Sequence, residues 1–127
     1  MITEDYVSLE TAKLLKEKGF DEEVQRSFFE NDGIYAPCDP SDVKRKDVLR
    51  IPTLQMAMKW LREKFNINTV PYALSLGWAF DIFDLSNRDI TGCKKLFSMD
   101  LPSKSECYNS YEEACEAAIK YCLENLI

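Results

Sequence analysis

The sequence predicts an α+β fold, a small and mainly antiparallel sheet of about four to five strands covered on one face by three helices. Three observations carry this. Apolar residues recur at helical spacing in three separate segments, near the start, in the middle and at the end of the chain. Between them, short runs rich in β-branched and aromatic residues are separated by turn residues rather than by helices. That disfavours a doubly wound parallel sheet, whose strands need long crossovers. No internal repeat, low-complexity tract or domain boundary interrupts the 127 residues, so a single domain, 1–127, is expected, long enough to bury a core without metal or disulfide staples.

The first helix is read from SLETAKLLKEKGF. Ser8 is an N-cap, Leu9, Ala12 and Leu15 recur on one face beside Leu14, and Gly19 stands where a left-handed residue ends a helix. Lys13, Lys16, Glu17 and Lys18 wet the opposite face. From Val24 to Ala36 the pattern becomes strand-like, and Asn31-Asp32-Gly33 between Phe28-Phe29 and Ile34-Tyr35 predicts a β-hairpin, because these residues tolerate positive φ. Residues 37–50, PCDPSDVKRKDVLR, carry two prolines and alternating charge and read as a surface loop.

The second helix follows Pro52, with Thr53 as cap, Leu54, Ala57, Met58, Leu61 and Phe65 as its apolar stripe, and Asn66 as its end. Met56 and Trp60 flank the stripe and widen it. Residues 69–99 read as two or three strands: TVPYALSL with Pro71 suited to an edge, WAFDIFDL with Trp78, Phe80 and Ile82 on one face, and a return through Lys95 to Met99. Ser86-Asn87-Arg88-Asp89 and Thr91-Gly92 supply turn chemistry. LPSKSECYN is a connector. In SYEEACEAAIKYCLENLI, Ser110 and Glu113 form a capping box, and Tyr111, Cys115, Ala118 and Cys122, with Ile119 and Leu126, form the buried stripe. Glu112, Glu113 and Glu116 lie where the helix dipole favours acids.

Composition narrows the chemistry. The chain is 46 % hydrophobic and 30 % charged, with a net charge of −6, the profile of a globular protein. It has no histidine, which removes the commonest general base, the commonest zinc ligand and every Ser-His or Cys-His nucleophile. The five cysteines are odd in number, contain no CxxC pair and follow a polar, acidic start unlike a secretory leader, so a reduced, cytoplasmic setting is expected. Cys115 and Cys122, seven apart, are expected as core packing. No apolar stretch approaches the roughly 18 residues of a membrane span.

No motif specifies a reaction. Asp81 and Asp84 are three apart in a strand, which sends them to opposite faces, and Asp39, Asp42 and Asp47 lack the spacing of a calcium loop, so no metal is expected. Four glycines in the whole chain make neither GxGxxG nor GxxxxGK[ST], and no cofactor is expected. Lys44-Arg45-Lys46 with Arg50, and Lys59, Arg62 and Lys64, are the only basic groups dense enough for nucleic acid. The first is interleaved with Asp42 and Asp47, and the acidic net charge opposes phosphate, so a nucleic-acid partner is disfavoured. Aromatic residues make up 12 % of the chain, and Met56, Trp60, Tyr72, Trp78 and Phe80 are the candidate interaction surface, with Tyr35 as a further aromatic.

The blocks YVSLETAKLLKEKGF, PTLQMAMKWLREKFNI and SYEEACEAAIKYCLENLI, in this order around a strand-rich interior, resemble a family of small proteins without established function from gut Bacteroides and their phages and mobile elements. The resemblance covers the three helices. It implies an origin and a compact α+β fold, and carries over no activity, cofactor or catalytic residue. The resulting expectation is a noncatalytic binding or interaction protein, an accessory factor of a phage or mobile element, with a protein or a second copy of itself as partner. The homodimer would close through the Met56 and Trp60 flank. The alternative is a small-molecule or nucleotide-binding protein with a pocket between sheet and helices lined by Trp78, Phe80 and Tyr72.

Overall fold

In the computed structural model, residues 2–31, 33–39, 48–100 and 102–127 are described. The chain forms two compact units, Met1–Thr53 and Leu54–Ile127. Both are built from helices and antiparallel strands, so the α+β class holds. The strands are shared between two three-stranded sheets instead of joining in one.

The first unit contains α1 (Leu9–Glu17), β1 (Ser27–Asn31), β2 (Ile34–Cys38) and β3 (Val48–Arg50), with strand order β2-β1-β3. Ser8 caps α1, its Oγ accepting the Thr11 N–H at 3.1 Å. The other end closes as the sequence predicts. Gly19 adopts φ 95°, its N–H donates to the Lys16 carbonyl at 3.1 Å and the Phe20 N–H to the Leu15 carbonyl at 2.9 Å, the paired bonds of a Schellman motif. The buried face is Thr11, Ala12 and Leu15. Leu9, at the start of the helix and three residues before Ala12, stays exposed.

The predicted hairpin forms, with Asn31 opposite Ile34 and Gly33 at φ 80°. The stretch 37–50 departs from the loop reading at both ends. Pro37 and Cys38 continue β2, and Val48–Arg50 pairs antiparallel with β1, placing Leu49 opposite Phe28. Val48, Leu49 and Ile51 are all buried, and α1 packs on this strand. The apolar run V-L-x-I thus supplies the third strand that a lone hairpin needs for a core. Residues 40–47, including Asp42, Lys44-Arg45-Lys46 and Asp47, lie outside the described residues; Arg50 ends β3.

The second unit contains α2 (Leu54–Phe65), β4 (Ile67–Leu74), β5 (Gly77–Asp89), β6 (Gly92–Ser98) and α3 (Tyr111–Asn125), with strand order β4-β5-β6. α2 and α3 pack on each other and on β4, and α3 also on β5. Two helices therefore cover this sheet, while α1 packs on β3 of the other. Asn66 ends α2 with φ 56°, a left-handed conformation that asparagine tolerates, and lets the chain enter β4 directly. Its carbonyl then accepts the Leu85 N–H at 2.7 Å, tying the helix exit to β5.

The Ser86–Asp89 turn expected from sequence is instead part of β5. The ladder shifts register between Asp84 and Arg88: Asp84 faces Lys94, and Arg88 faces Cys93. The extra residues are held by their own side chains, Asp84 Oδ1 accepting the Ser86 N–H at 3.0 Å and its hydroxyl at 2.6 Å, and Arg88 Nε donating to the Leu85 carbonyl at 2.6 Å. Turn-forming residues here make a bulge inside a longer strand.

In α3, Ser110 Oγ accepts the Glu113 N–H at 3.1 Å, and the Glu113 carboxylate accepts the N–H of Asn109, not that of Ser110, at 2.9 Å, a capping box displaced by one residue. Ala114, Cys115, Ala118, Ile119, Cys122 and Leu123 form the buried stripe. None of the five cysteines is in a disulfide. Burial pushes the Cys115 thiol up, and pushes that of Cys122 up to about 12, as expected of thiols that serve as packing.

A candidate ligand cleft

Within the second unit, β5, β6 and α3 enclose an open cleft of about 660 Å³ floored by aromatic rings. Each ring arrives by a different route. Phe80 comes from the inward face of β5, which it shares with Ile82. Phe97 of β6 sits opposite Ile82, just before the ladder slips between Ile82 and Phe83. Tyr121 projects from the flank of α3 one position from the buried Cys122. Tyr108 lies in the connector, which is drawn into the sheet because Trp78 and Tyr108 form an isolated antiparallel bridge.

The rings pack on one another. Phe97 and Tyr121 have centroids 4.2 Å apart at 34°, Phe80 and Phe97 are 5.3 Å apart, and Phe80 lies 6.0 Å from Tyr108 and 6.5 Å from Tyr121. The rings are tilted against one another and make a contiguous aromatic cluster. Met99 completes the floor, its Sδ accepting the Phe80 N–H at 3.3 Å. Burial raises the Tyr108 phenol, which stays protonated at neutral pH.

The rim is polar. Lys120 and Glu124 form an exposed pair at 3.8 Å, and Asn125 and Ser98 stand nearby. Glu106 is the other carboxylate. Ser103 donates to its Oε1 from the backbone N–H at 3.1 Å and from the hydroxyl at 2.8 Å, and these bonds hold its pKa below the ordinary range.

Of the five residues expected to form an interaction surface, only Phe80 lines this cleft, and they do not make one exposed patch. Trp60 is only 6 % exposed, edge-on to Phe65 at 5.1 Å, and Phe80 is 3 % exposed. Met56 is 36 % exposed. Tyr72 and Trp78 are half-buried, Tyr72 donating to Asp81 at 3.3 Å and Trp78 lying edge-on to Tyr111 at 5.5 Å. The reason is geometric: Trp60 falls on the packed side of α2 beside Leu61, and Phe80 on the inward side of β5, so size and aromaticity place both in the core. Phe97, Tyr108 and Tyr121 line this cleft beside Phe80, and neither Trp78 nor Tyr72 does.

Asp81 carries a second polar group. It accepts the Tyr72 hydroxyl and, at 2.9 Å, that of Ser98, with Lys95 Nζ 3.9 Å away. Burial, then the charge and hydrogen bond of Asp81, raise the Tyr72 phenol. Asp84 instead binds Ser86, whose hydroxyl and N–H lower its pKa, and shares no partner with Asp81, in keeping with their opposite faces. Among the described residues, no three Cys, Asp or Glu side chains gather to hold a metal ion. No helix of the described residues is long and apolar enough to cross a membrane.

No protein-family model, no curated protein sequence and no solved structure matches this chain.

Proposed function

We propose that this chain is a noncatalytic binding protein that holds a small organic ligand in the cleft between β5, β6 and α3. The observation that supports it most directly is the convergence of Phe80, Phe97, Tyr108 and Tyr121 on one concavity of about 660 Å³. Small-molecule sites commonly combine such a volume with an apolar floor and a few polar groups at the mouth. At the mouth Lys120 pairs with Glu124, and Glu106 accepts the hydroxyl and the backbone N–H of Ser103. The half-buried and buried thiols suit a reducing cytoplasmic setting.

A second reading, binding of a protein partner, draws on Leu74 and Leu76, 39 % and 52 % exposed beside the turn from β4 to β5. Titration of ¹⁵N-labelled protein with a small-molecule fragment library separates the two. Shifts centred on Phe97, Tyr108 and Tyr121 are expected for the cleft reading. A library that moves none of these amides overturns it.

A further inference from the structure

We infer that the cleft selects a small, free organic ammonium ion; this rests on the reading of the cleft as a ligand site and names the chemistry it prefers. Three features of the site converge on a cation. Four aromatic rings line the cleft, and an aromatic ring attracts a positive charge held within about 6 Å of its centroid; Met99 adds a polarisable sulfur. The charged side chains at the mouth are two carboxylates and one ammonium, and the single ammonium, Lys120, stands 3.8 Å from Glu124. Glu106 makes no ion pair among the described residues. Its hydrogen bonds from Ser103 are both to Oε1, so they fix the carboxylate at the mouth without neutralising it.

An anionic ligand would meet this carboxylate and the negative ring faces together. A neutral apolar ligand could use the rings but would leave the Glu106 charge unanswered. An alkylated ammonium ion satisfies both, its methyl groups against Phe97 and Tyr121 and its charge toward Glu106. The net charge of −6 favours its approach in the same sense.

The test compares choline with 3,3-dimethyl-1-butanol, which has the same shape without the charge, by calorimetry and by amide shifts on the full chain. Choline should bind at least about tenfold more tightly, and its shifts should centre on Phe97, Tyr108 and Tyr121. Glu106→Gln, at an exposed position, should lower the affinity for choline several-fold and leave that of the neutral alcohol unchanged; Tyr121→Leu should weaken choline by about tenfold. Equal affinity for the two probes overturns the assignment to a cation while leaving the cleft as a ligand site. Absence of choline shifts at the three rings overturns it as well, and the fragment titration then decides whether the cleft binds any small molecule. A trimethyllysine peptide that binds more tightly than free trimethyllysine overturns the assignment to a free ligand.

Discussion

Trp78 and Tyr108 exchange both of their backbone hydrogen bonds, each 2.8 Å long, so that a connector residue becomes part of the sheet. The residue before Trp78 makes this possible. A Cβ on Gly77 would stand 2.7 Å from the Tyr108 carbonyl oxygen and 2.9 Å from Cys107 Cβ, at a φ of 147° that side chains rarely adopt. Gly77→Ala should therefore cost about 2–3 kcal/mol and loosen Tyr108 from the cleft. Urea unfolding, with the midpoint read at unchanged slope, measures the first effect, and loss of amide-exchange protection at Tyr108 the second. A variant as stable and as protected as the parent would mean that the connector shifts without cost.

The hydroxyl of Thr69 is buried in β4 and has no hydrogen-bond partner among the described residues. An unsatisfied buried hydroxyl is costly, and valine has nearly the same shape. Thr69→Val is expected to stabilise the protein by about 1 kcal/mol in a thermal melt. A loss of similar size would show that the hydroxyl is satisfied in solution.

Leu49 tests the strand that the charge pattern concealed. It is fully buried opposite Phe28, and Leu49→Ala should destabilise by about 2–5 kcal/mol, the usual cost of a buried leucine truncation. Exchange protection should fall at Ser27–Phe29 as β1 loses its partner. A solvated loop would tolerate the change within about 0.5 kcal/mol.

Cys122 gives alkaline stability a sign. Burial pushes its thiol up to about 12, whereas an unfolded thiol titrates near 8.5, so between these values the unfolded chain binds fewer protons than the folded one. Stability should be insensitive to this group below about pH 8 and should fall as the pH rises through that window. Denaturation midpoints from about pH 7.5 to 10.5 measure it, and Cys122→Ala should flatten the slope. Identical slopes would remove Cys122 as the cause. At neutral pH a thiol reagent should reach Cys38, Cys93 and Cys107 before the fully buried Cys115 and Cys122.

The local signals were the legible ones. Ser8, Gly19 and Ser110 act as caps or stops through bonds within a few residues, which a sequence displays directly. Val48–Arg50 was hidden because its role depends on pairing with Ser27–Phe29, while its neighbours Lys46 and Asp47 look like loop. Ser86–Asp89 misled for the opposite reason: residues that favour turns are also those that can hold a bulge. The sequence predicts a pocket between sheet and helices lined by Trp78, Phe80 and Tyr72, and of these three only Phe80 lines the cleft. Phe97, Tyr108 and Tyr121 lie on a strand, a connector and a helix, and no spacing joins them. The one hint was Gly77, a glycine at the start of an aromatic strand, where close backbone approach is a common reason for its use.

Pro71 bears on how the sheet meets other chains. β4 is an outer strand of its sheet, and Pro71, opposite Phe80, has no N–H to offer along its backbone. A strand from a second molecule laid along that edge would find its ladder broken at mid-length. The β4 edge can thus keep an aromatic, β-branched sequence without offering an uninterrupted template for fibre growth.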